Sequence, residues 1–474
     1  MTSPHHHSPT ECAWWNPWHW PMRAWVLVIG IFLLLLPLGI RQFMLVEVPV
    51  ILEPFDVDEF IKWEIPESQN AFSDYRQAGE LMEQLVKTGL TAGEAKVDEP
   101  PDFQVIIDKG WPDAGTTVKD WLELNRAALL IWRKGTEKSQ GRFLSPGELS
   151  IRTNLESVQK LRQFARLAIY EELRLLEAGQ FDEAWSWGRA AFRSGGHASR
   201  QACIVQALTA TAIHFISTDG LARWAEHPQL TSEQIRVALK ESQADYTLYE
   251  SRGNILRAEY MAMQNTLMSS DWPQLIAFNT GGKPTAMSTP VRLGYWVIGE
   301  PDRASRLFRQ IMANQLPEID KSPSQRRKLV GSGKAMLFDR DPAAPLSPGQ
   351  LDAFEIDRNL SRTRLFLTLA PARTLFDRIL VRQETRQNAF LILLAAQAYR
   401  RDHGEFPESL ECLVPNYLDA IPLDPSNLAG KSLRYRRDNP TSAVVWGLGE
   451  DNSDDGGQVR TDSGRPIDVG FELK

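Results

Sequence analysis

The pattern of apolar and polar residues predicts a mainly helical protein with one membrane segment. The run AWVLVIGIFLLLLPLGI at residues 24–40 contains no charged residue and is bounded by Arg23 and Arg41. Its length reaches the short end of the range that spans a bilayer as a helix. Several tryptophans cluster at its N-terminal end, where the amphipathic indole ring prefers the boundary between lipid and water. We therefore predict a transmembrane anchor over residues 23–45, preceded by a tail over residues 1–22.

Two other interpretations of this segment fit less well. A buried core helix of a soluble domain carries an amphipathic stripe, which this run lacks. A cleaved signal peptide ends in a small-x-small site, whereas LGIRQF follows the apolar run. Arg23 and Arg41 balance each other, so the positive-inside rule does not decide the orientation. The short tail and the single anchor favour a cytoplasmic N-terminus, which predicts an inner-membrane protein with the bulk of its chain outside the cytoplasm.

The region between the anchor and residue 370 predicts a stalk and then a helical body. Residues 46–70 are punctuated by prolines and acidic residues, which is typical of a stalk or leading strand. Helical periodicity then dominates residues 71–370 and predicts an irregular all-α body. The helices predicted from this periodicity include residues 116–135, 201–226, 232–268, 302–316 and 350–370.

One segment of the body has a recognisable supersecondary pattern. ARLAIYEELRLLEAGQFDEAWSWGRAAFRSG, at residues 165–195, predicts two amphipathic helices joined at Ala-Gly-Gln, with small alanines that allow a close approach. It resembles a single tetratricopeptide-type hairpin. No second copy occurs at the expected period of ~34 residues, so an isolated helical hairpin is the alternative.

The C-terminal segment, residues 371–474, follows a different pattern. Pro371 opens a long helix with an apolar stripe, and Gly404 is placed to end it in a left-handed turn. Prolines then alternate with apolar residues through FPESLECLVPNYLDAIPLDP. GKSLRYRRD and TSAVVWGLGE follow and predict a β-hairpin. We predict a small α+β domain in which one long helix packs against an antiparallel sheet.

This C-terminal pattern is similar to that of a known family. AYRRDHGEFPESLECLVPNYLDAIPLDP, followed by GKSLRYRR and VVWGLGEDNSDDGG, resembles the C-terminal half of the major pseudopilin of type II secretion. The resemblance implies a pilin-like module with a small antiparallel sheet and an Asp/Gly-rich loop that binds calcium. The matching residues are Tyr399, Asp402, Gly404, Pro407, Ile421, Pro422, Asp424, Pro425, Gly449 and Asp451.

The N-terminal half departs from that family. Pseudopilins begin with a prepilin-peptidase site and an apolar helix that carries a glutamate and continues into the globular domain. Here the apolar segment has neither the site nor the glutamate, and the whole helical body separates it from residue 371. The resemblance therefore implies a borrowed module and does not imply assembly into a pilus-like filament.

The acidic loop after the hairpin has the spacing of a calcium site. In DNSDDGGQVRTD, residues 451–462, the oxygen-bearing residues occupy loop positions 1, 3 and 5, a glycine occupies position 6, and Asp462 occupies position 12. Position 12 holds an aspartate where a bidentate glutamate is usual, and the flanks predict strands, so a solvated acidic turn is the alternative. The resemblance implies Asp451 and Asp468 as ligands. The predicted metal-site residues, with calcium as the metal, are Asp451, Asp454, Asp455, Asp462 and Asp468.

Composition and motifs narrow the possible functions. The chain holds 53 basic and 60 acidic residues, and this balance argues against a nucleic-acid binder. His-Glu-x-x-His, Gly-x-Ser-x-Gly and Cys-x-x-Cys motifs are absent, so no catalytic residue is predicted. His214 lies in an apolar helical run and is interpreted as a core residue. Cys203, in the same run, is interpreted as a structural thiol that could pair with Cys412 outside the cytoplasm.

The leading hypothesis is a membrane-anchored extracytoplasmic structural or interaction protein of the cell envelope. One alternative is a helical adaptor that binds peptides or proteins on the hairpin surface. A second is an envelope hydrolase with its site at the long loops, residues 269–290 and 321–348. Sequence alone leaves the partner and the oligomeric state open.

Overall fold

Fifteen α-helices account for most of the described chain, which confirms the predicted mainly helical fold. The computed structural model describes residues 20–89, 103–270, 272–275, 287–332, 335–363, 365, 369–449, 452–459 and 468–474. The helices are α1 Met22–Val46, α2 Val57–Ile61, α3 Ala71–Gly89, α4 Phe103–Lys109, α5 Thr116–Leu124, α6 Arg126–Thr136, α7 Glu156–Glu177, α8 Phe181–Ser199, α9 Ile204–Ala225, α10 Ser232–Tyr246, α11 Arg252–Met268, α12 Thr289–Val297, α13 Asp302–Ile319, α14 Ala353–Leu360 and α15 Leu369–His403.

The first helix leaves its apolar side chains uncovered. In α1 only Leu45 is buried, and it lies in the last turn. Within the described residues, α1 is the one helix long and apolar enough to cross a membrane. Pro37 lies inside the helix without ending it. An apolar helix that packs against no protein along most of its length is suited to a lipid environment.

The segment that follows α1 lies on the body. Val48 is fully buried, and Ile51 is also buried in the hydrophobic core. Side chains of α13 bind its backbone: Gln310 Nε2 donates to the Pro49 carbonyl at 3.3 Å, and Arg309 Nη1 donates to the Ile51 carbonyl at 3.1 Å. The part of the predicted stalk over residues 48–51 is therefore held against the helical body.

The predicted hairpin at residues 165–195 is formed by α7 and α8. The two helices pack along their length, and α9 packs against both. Gly179 has a φ of +71° at the turn between them, a conformation that favours glycine. Ala184, Ala190 and Ala191 are buried where the helices meet. The hairpin is confirmed; its membership of a repeat family stays a prediction.

Three predicted helices have different bounds in the structure. The predicted helix 116–135 is divided at Asn125, and the predicted helix 232–268 is divided between Tyr246 and Arg252. The predicted helix 350–370 is represented by α14, which ends at Leu360. Each interruption coincides with a polar residue that binds the backbone locally, as Ser251 does by accepting a hydrogen bond from the Asn254 amide at 3.1 Å.

Helix α15 connects two hydrophobic cores. Its N-terminal half places Phe376 and Leu380 in a core with α11, α13 and α14. Its C-terminal half places Phe390 and Leu394 in a second core with α7, α8 and α9. The helix also packs directly on α9 and α10. Gly404 follows it with a φ of +82°, which confirms the predicted left-handed end.

The C-terminal sheet has three antiparallel strands in the order β3-β4-β5. Strand β3 is Arg434–Asn439, β4 is Ser442–Gly447 and β5 is Val469–Leu473. Ala443 pairs with Leu473 and Val445 with Phe471, so these four side chains share one face. That face packs on α15, where the Phe390 and Phe471 ring centroids are 6.1 Å apart. A separate pair, β1 Leu329–Val330 and β2 Leu337–Phe338, forms a small antiparallel hairpin.

The helix and sheet predicted for the C-terminal segment are both present. The other side of α15 is covered by helices of the body, and its core is continuous with theirs. The domain boundary at residue 371 stays a prediction. Short 3-10 turns complete the described structure at Glu67–Gln69, Trp111–Asp113, Pro146–Glu148, Pro323–Gln325 and Leu410–Leu413.

Candidate functional site

The described part of the predicted acidic loop, residues 452–459, lies between β4 and β5 in the chain. Gly456 and Gly457 have φ values of +72° and +85°, so the chain turns sharply there. A side chain at Gly457 would also meet Trp446 and Val444, each at 3.0 Å from its Cβ. The turn therefore requires glycine at position 457 for conformation and for space.

Two of the predicted metal ligands bind successive amides of this turn. Asp454 Oδ1 accepts a hydrogen bond from the Gly456 amide at 3.1 Å, and Asp468 Oδ2 accepts one from the Gly457 amide at 2.9 Å. The structure thus brings Asp454 and Asp468 to the same turn although fourteen positions separate them in sequence. Asp455 lies between them and is exposed. Asp451 and Asp462 lie outside the described residues.

Asp454 is committed to structural contacts within the sheet. Its Oδ1 also accepts from the Trp446 indole at 2.9 Å, and its Oδ2 lies 2.7 Å from Arg434 Nε. The Trp446 hydrogen bond, together with the Gly456 amide and the Arg434 charge, lowers the pKa of Asp454. An aspartate already paired with an arginine is a weaker ligand for a cation than a free carboxylate.

Arg434, which pairs with Asp454, also pairs with the buried Asp424. Arg434 Nη1 donates to Asp424 Oδ2 at 3.2 Å, so one guanidinium serves two aspartates. Asp424 is buried and also accepts from the Leu448 amide at 3.0 Å and the Ser426 amide at 2.9 Å. Burial raises the pKa of Asp424 while these donors oppose the rise. Sequence reasoning placed Asp424 among the matching landmarks and missed Arg434, because pairing across strands is not visible in the sequence.

Asp468 is the residue that best fits a ligand role. It has no exposed surface, although it lies just beneath the loop, and its Oδ1 has no hydrogen-bond partner among the described residues. Burial raises the pKa of Asp468, backbone hydrogen bonds from Gly457 and Asp455 oppose this, and the charges of Asp455 and Asp454 add to it. A buried carboxylate oxygen without a donor is a position that a cation would satisfy. Within the described ranges, no three acidic, histidine or cysteine residues converge as a metal cluster. The calcium site stays a prediction.

A cleft on the helical body is lined by none of the described residues of the acidic loop. It has a volume of about 650 Å³. Prolines and leucines of the segments 51–54 and 344–351 line it together with charged residues of α13 and its surroundings. Glu318 is paired there with Lys321 at 2.6 Å and with Arg327 at 3.0 Å. The cleft is therefore bordered by apolar surface and by ion pairs.

The body also buries several titratable groups. His214 Nε2 lies 3.1 Å from Gln387 Oε1, which connects α9 to α15, and burial lowers the pKa of His214 to about 3. His197 Nδ1 lies 2.7 Å from the Tyr75 hydroxyl, and burial lowers its pKa to about 3 as well. Both imidazoles are neutral at physiological pH and join packed helices. The interpretation of His214 as a core residue is confirmed.

Glu172 is fully buried in α7. Neither of its carboxylate oxygens has a hydrogen-bond partner among the described residues, and burial raises its pKa well above the ordinary value. Gly188 of α8 and Gly220 of α9 leave the space that its carboxyl group fills. Burial in the helix core therefore favours the protonated form of Glu172.

Comparison of the chain with family models, with curated proteins and with solved structures finds no match. The resemblance of the C-terminal segment to pseudopilins accordingly rests on the residues quoted above.

Proposed function

We propose that this protein is a membrane-anchored extracytoplasmic structural or interaction protein of the cell envelope, with a pilin-like C-terminal module. The observation that carries the proposal is the contrast between α1 and the rest of the chain. Along α1 the apolar side chains are exposed up to the last turn, while most of the described helices beyond it bury apolar side chains in two large cores. Lipid is the solvent that suits the first surface, and water suits the second.

The junction between α1 and the body supports the same proposal. Arg41, one turn before the end of α1, pairs with Asp302 of α13 and donates to the Trp296 carbonyl at 2.7 Å. Its guanidinium also lies 4.8 Å from the Trp296 ring centroid. An arginine and a tryptophan side by side are typical of the boundary between lipid and water. The body is thus fixed to the end of the anchor.

The C-terminal module supports an interaction role. Its helix α15 is part of the body and is separate from α1, unlike the continuous helix of a pseudopilin. The three-stranded sheet and the buried Asp424 are compatible with the quoted resemblance. We infer a module that presents a loop and sheet edge to an envelope partner.

A helical adaptor is the second candidate. The cleft of about 650 Å³ favours it, because prolines and leucines line an open groove that an extended peptide could occupy. The hydrolase alternative has less support there, since the charged groups Glu318, Lys321 and Arg327 are bound to one another.

Membrane extraction tests the proposal. The full chain should stay in the membrane pellet after washing with alkaline carbonate. Leu33→Arg with Leu34→Arg should release it, because an arginine at the centre of a spanning helix costs about 3 kcal/mol. Leu428→Arg, at an exposed position of the C-terminal module, is the control and should not release it. Release of the unmodified chain by the wash would overturn the proposal.

A further inference from the structure

Helix α12, Thr289–Val297, is apolar yet uncovered. Its sequence is TPVRLGYWV, with Arg292 as its one charged residue, and none of its residues is buried within the described structure. Val291 is 48% exposed and Leu293 is 57% exposed. Since their positions in the helix point in roughly opposite directions, apolar surface extends around most of the helix. A helix of this composition in a soluble domain is normally enclosed by protein.

The position of α12 identifies what covers it. Trp296 contacts Arg41 of α1, as described above, and Leu45 of α1 lies against Gly299, just beyond the C-terminal end of α12. At a rise of 1.5 Å per residue, the apolar part of α1 from Arg23 to Arg41 is roughly 27 Å long. That length is close to the hydrocarbon thickness of a bilayer, so a spanning α1 would place Arg41 and Trp296 at one boundary of the hydrocarbon layer.

Exposed apolar surface continues around this junction. Phe43 and Val46 of α1 are exposed on the body side of Arg41. Together with Val291 and Leu293 they extend the lipid-facing surface of α1 sideways onto the body. Arg292 supplies a positive charge on α12, where lipid phosphates would lie. Tyr295, one turn after Val291 on the same face of α12, packs on the body, with its ring centroid 5.5 Å from that of Trp272.

We propose that α12 is an interfacial helix whose apolar side chains enter the extracytoplasmic leaflet beside α1. The proposal rests on α1 spanning the membrane, as the proposed function requires. A nine-residue helix is too short to span, and a helix that lies in the interface buries its apolar residues about 5–10 Å into the lipid. With α1 and α12 both in lipid, the body has two contacts with the bilayer and keeps one orientation to it.

Depth-dependent quenching tests this with matched positions. The background chain carries Cys12→Ser, Cys203→Ala and Cys412→Ser, and each variant adds one cysteine labelled with an environment-sensitive fluorophore in phosphatidylcholine–phosphatidylglycerol vesicles. Leu293→Cys is compared with Leu329→Cys, since both leucines are 57% exposed. Val291→Cys is compared with Val237→Cys, since both valines are 48% exposed.

Lipids carrying a nitroxide near the headgroup should quench positions 293 and 291 roughly twofold or more, and should leave positions 329 and 237 nearly unchanged. Aqueous iodide should give the reverse order. If iodide quenches positions 293 and 291 as strongly as their partners, α12 lies in water and the proposal is wrong. If neither quencher reaches them, protein covers the helix, from this chain or a second copy, and the proposal is equally wrong.

Leu33→Cys separates this inference from the proposed function. Position 33 lies in the middle of α1 and should be quenched by lipids that carry the nitroxide deep in the acyl chain. Quenching at position 33 without quenching at position 293 would show that α1 spans the membrane and that α12 does not enter it. Absence of quenching at both positions would show that α1 does not span the membrane either.

Discussion

Arg303 Nη2 donates a hydrogen bond to Glu47 Oε2 at 3.0 Å, and this contact connects the residue after α1 to the helical body. The Arg303 side chain has no exposed surface. The same nitrogen donates to Asn359 Oδ1 at 2.7 Å. A buried guanidinium held by these two acceptors fixes the direction in which α1 leaves the body.

Removing the carboxylate at this junction should destabilise the protein. Glu47→Ala leaves the Arg303 charge buried with only Asn359 as a strong partner. Loss of one member of a buried ion pair costs about 3 kcal/mol, because the remaining charge is not compensated. The free energy of unfolding of the full chain in detergent, from denaturant titration, measures the effect.

Arg362→Ala provides a matched control. Arg362 binds the same Glu47 at 2.8 Å, and its side chain is 50% exposed. Exposed ion pairs contribute about 0–1 kcal/mol, so this variant should remain close to the unmodified chain. Equal costs for Glu47→Ala and Arg362→Ala would contradict the account of a rigid junction.

Glu172 should make stability depend on pH. Its folded-state pKa is raised by burial, so the carboxyl group stays protonated in the folded chain when the unfolded chain has already ionised. The contribution of the protonated Glu172 carboxyl group to the free energy of unfolding is fully present below the ordinary pKa of 4.5. It is lost as the pH rises towards the folded-state pKa. Glu172→Gln should remove this loss, which amounts to about 1.4 kcal/mol per pH unit within that window.

The measurement is the difference in unfolding free energy between the variant and the unmodified chain at pH 5, 6, 7 and 8. Glu123→Gln is the control, since Glu123 is largely exposed and should not change the slope. A difference that does not vary with pH would show that Glu172 is ionised in the folded protein.

The helical fold was predictable from periodicity, whereas the interruptions of helices were not. Asn125 illustrates the difference. Its side chain donates to the Trp121 carbonyl at 3.0 Å and competes with the backbone for that acceptor, so α5 ends where the apolar pattern continues. Pro371 lies inside the first turn of α15, where a missing amide hydrogen has no cost, so the helix begins at Leu369. These local contacts depend on side-chain geometry that apolar spacing does not encode.

The candidate site was predictable in position and only partly in chemistry. The sequence placed an acidic turn next to a hairpin, and the structure brings Asp454 and Asp468 to that turn. Sequence spacing treats all aspartates alike, whereas Arg434 neutralises Asp454 and burial isolates Asp468. The residues on neighbouring strands decide which carboxylate is available to bind a metal. Which residues become neighbours depends on the pairing register of the strands.

Calcium should stabilise the full chain through Asp468. At free calcium ten times the dissociation constant, binding to the folded state alone adds about 1.4 kcal/mol. The melting temperature in detergent with calcium, with magnesium and with chelator measures this. Asp468→Asn should abolish the calcium shift, and Asp438→Asn, at an exposed position of strand β3 paired with Arg436, should retain it. Identical transitions in calcium and in chelator would show that the loop is an acidic turn without a metal.

The proposed function requires the body to lie outside the cytoplasm. The two described cysteines allow its side of the membrane to be measured. Cys412 is an exposed free thiol of the C-terminal module. Cys203 is also free, but burial and the charge of Glu259 raise its pKa to about 12, which keeps it in the unreactive thiol form.

A membrane-impermeant maleimide applied to sealed right-side-out vesicles containing the Cys12→Ser chain therefore reports mainly on Cys412. With the body outside the cytoplasm, Cys412 is labelled without lysis, and the labelling is lost when Cys412→Ser is added. Labelling of Cys412 only after the vesicles are opened would place the body in the cytoplasm and contradict the account.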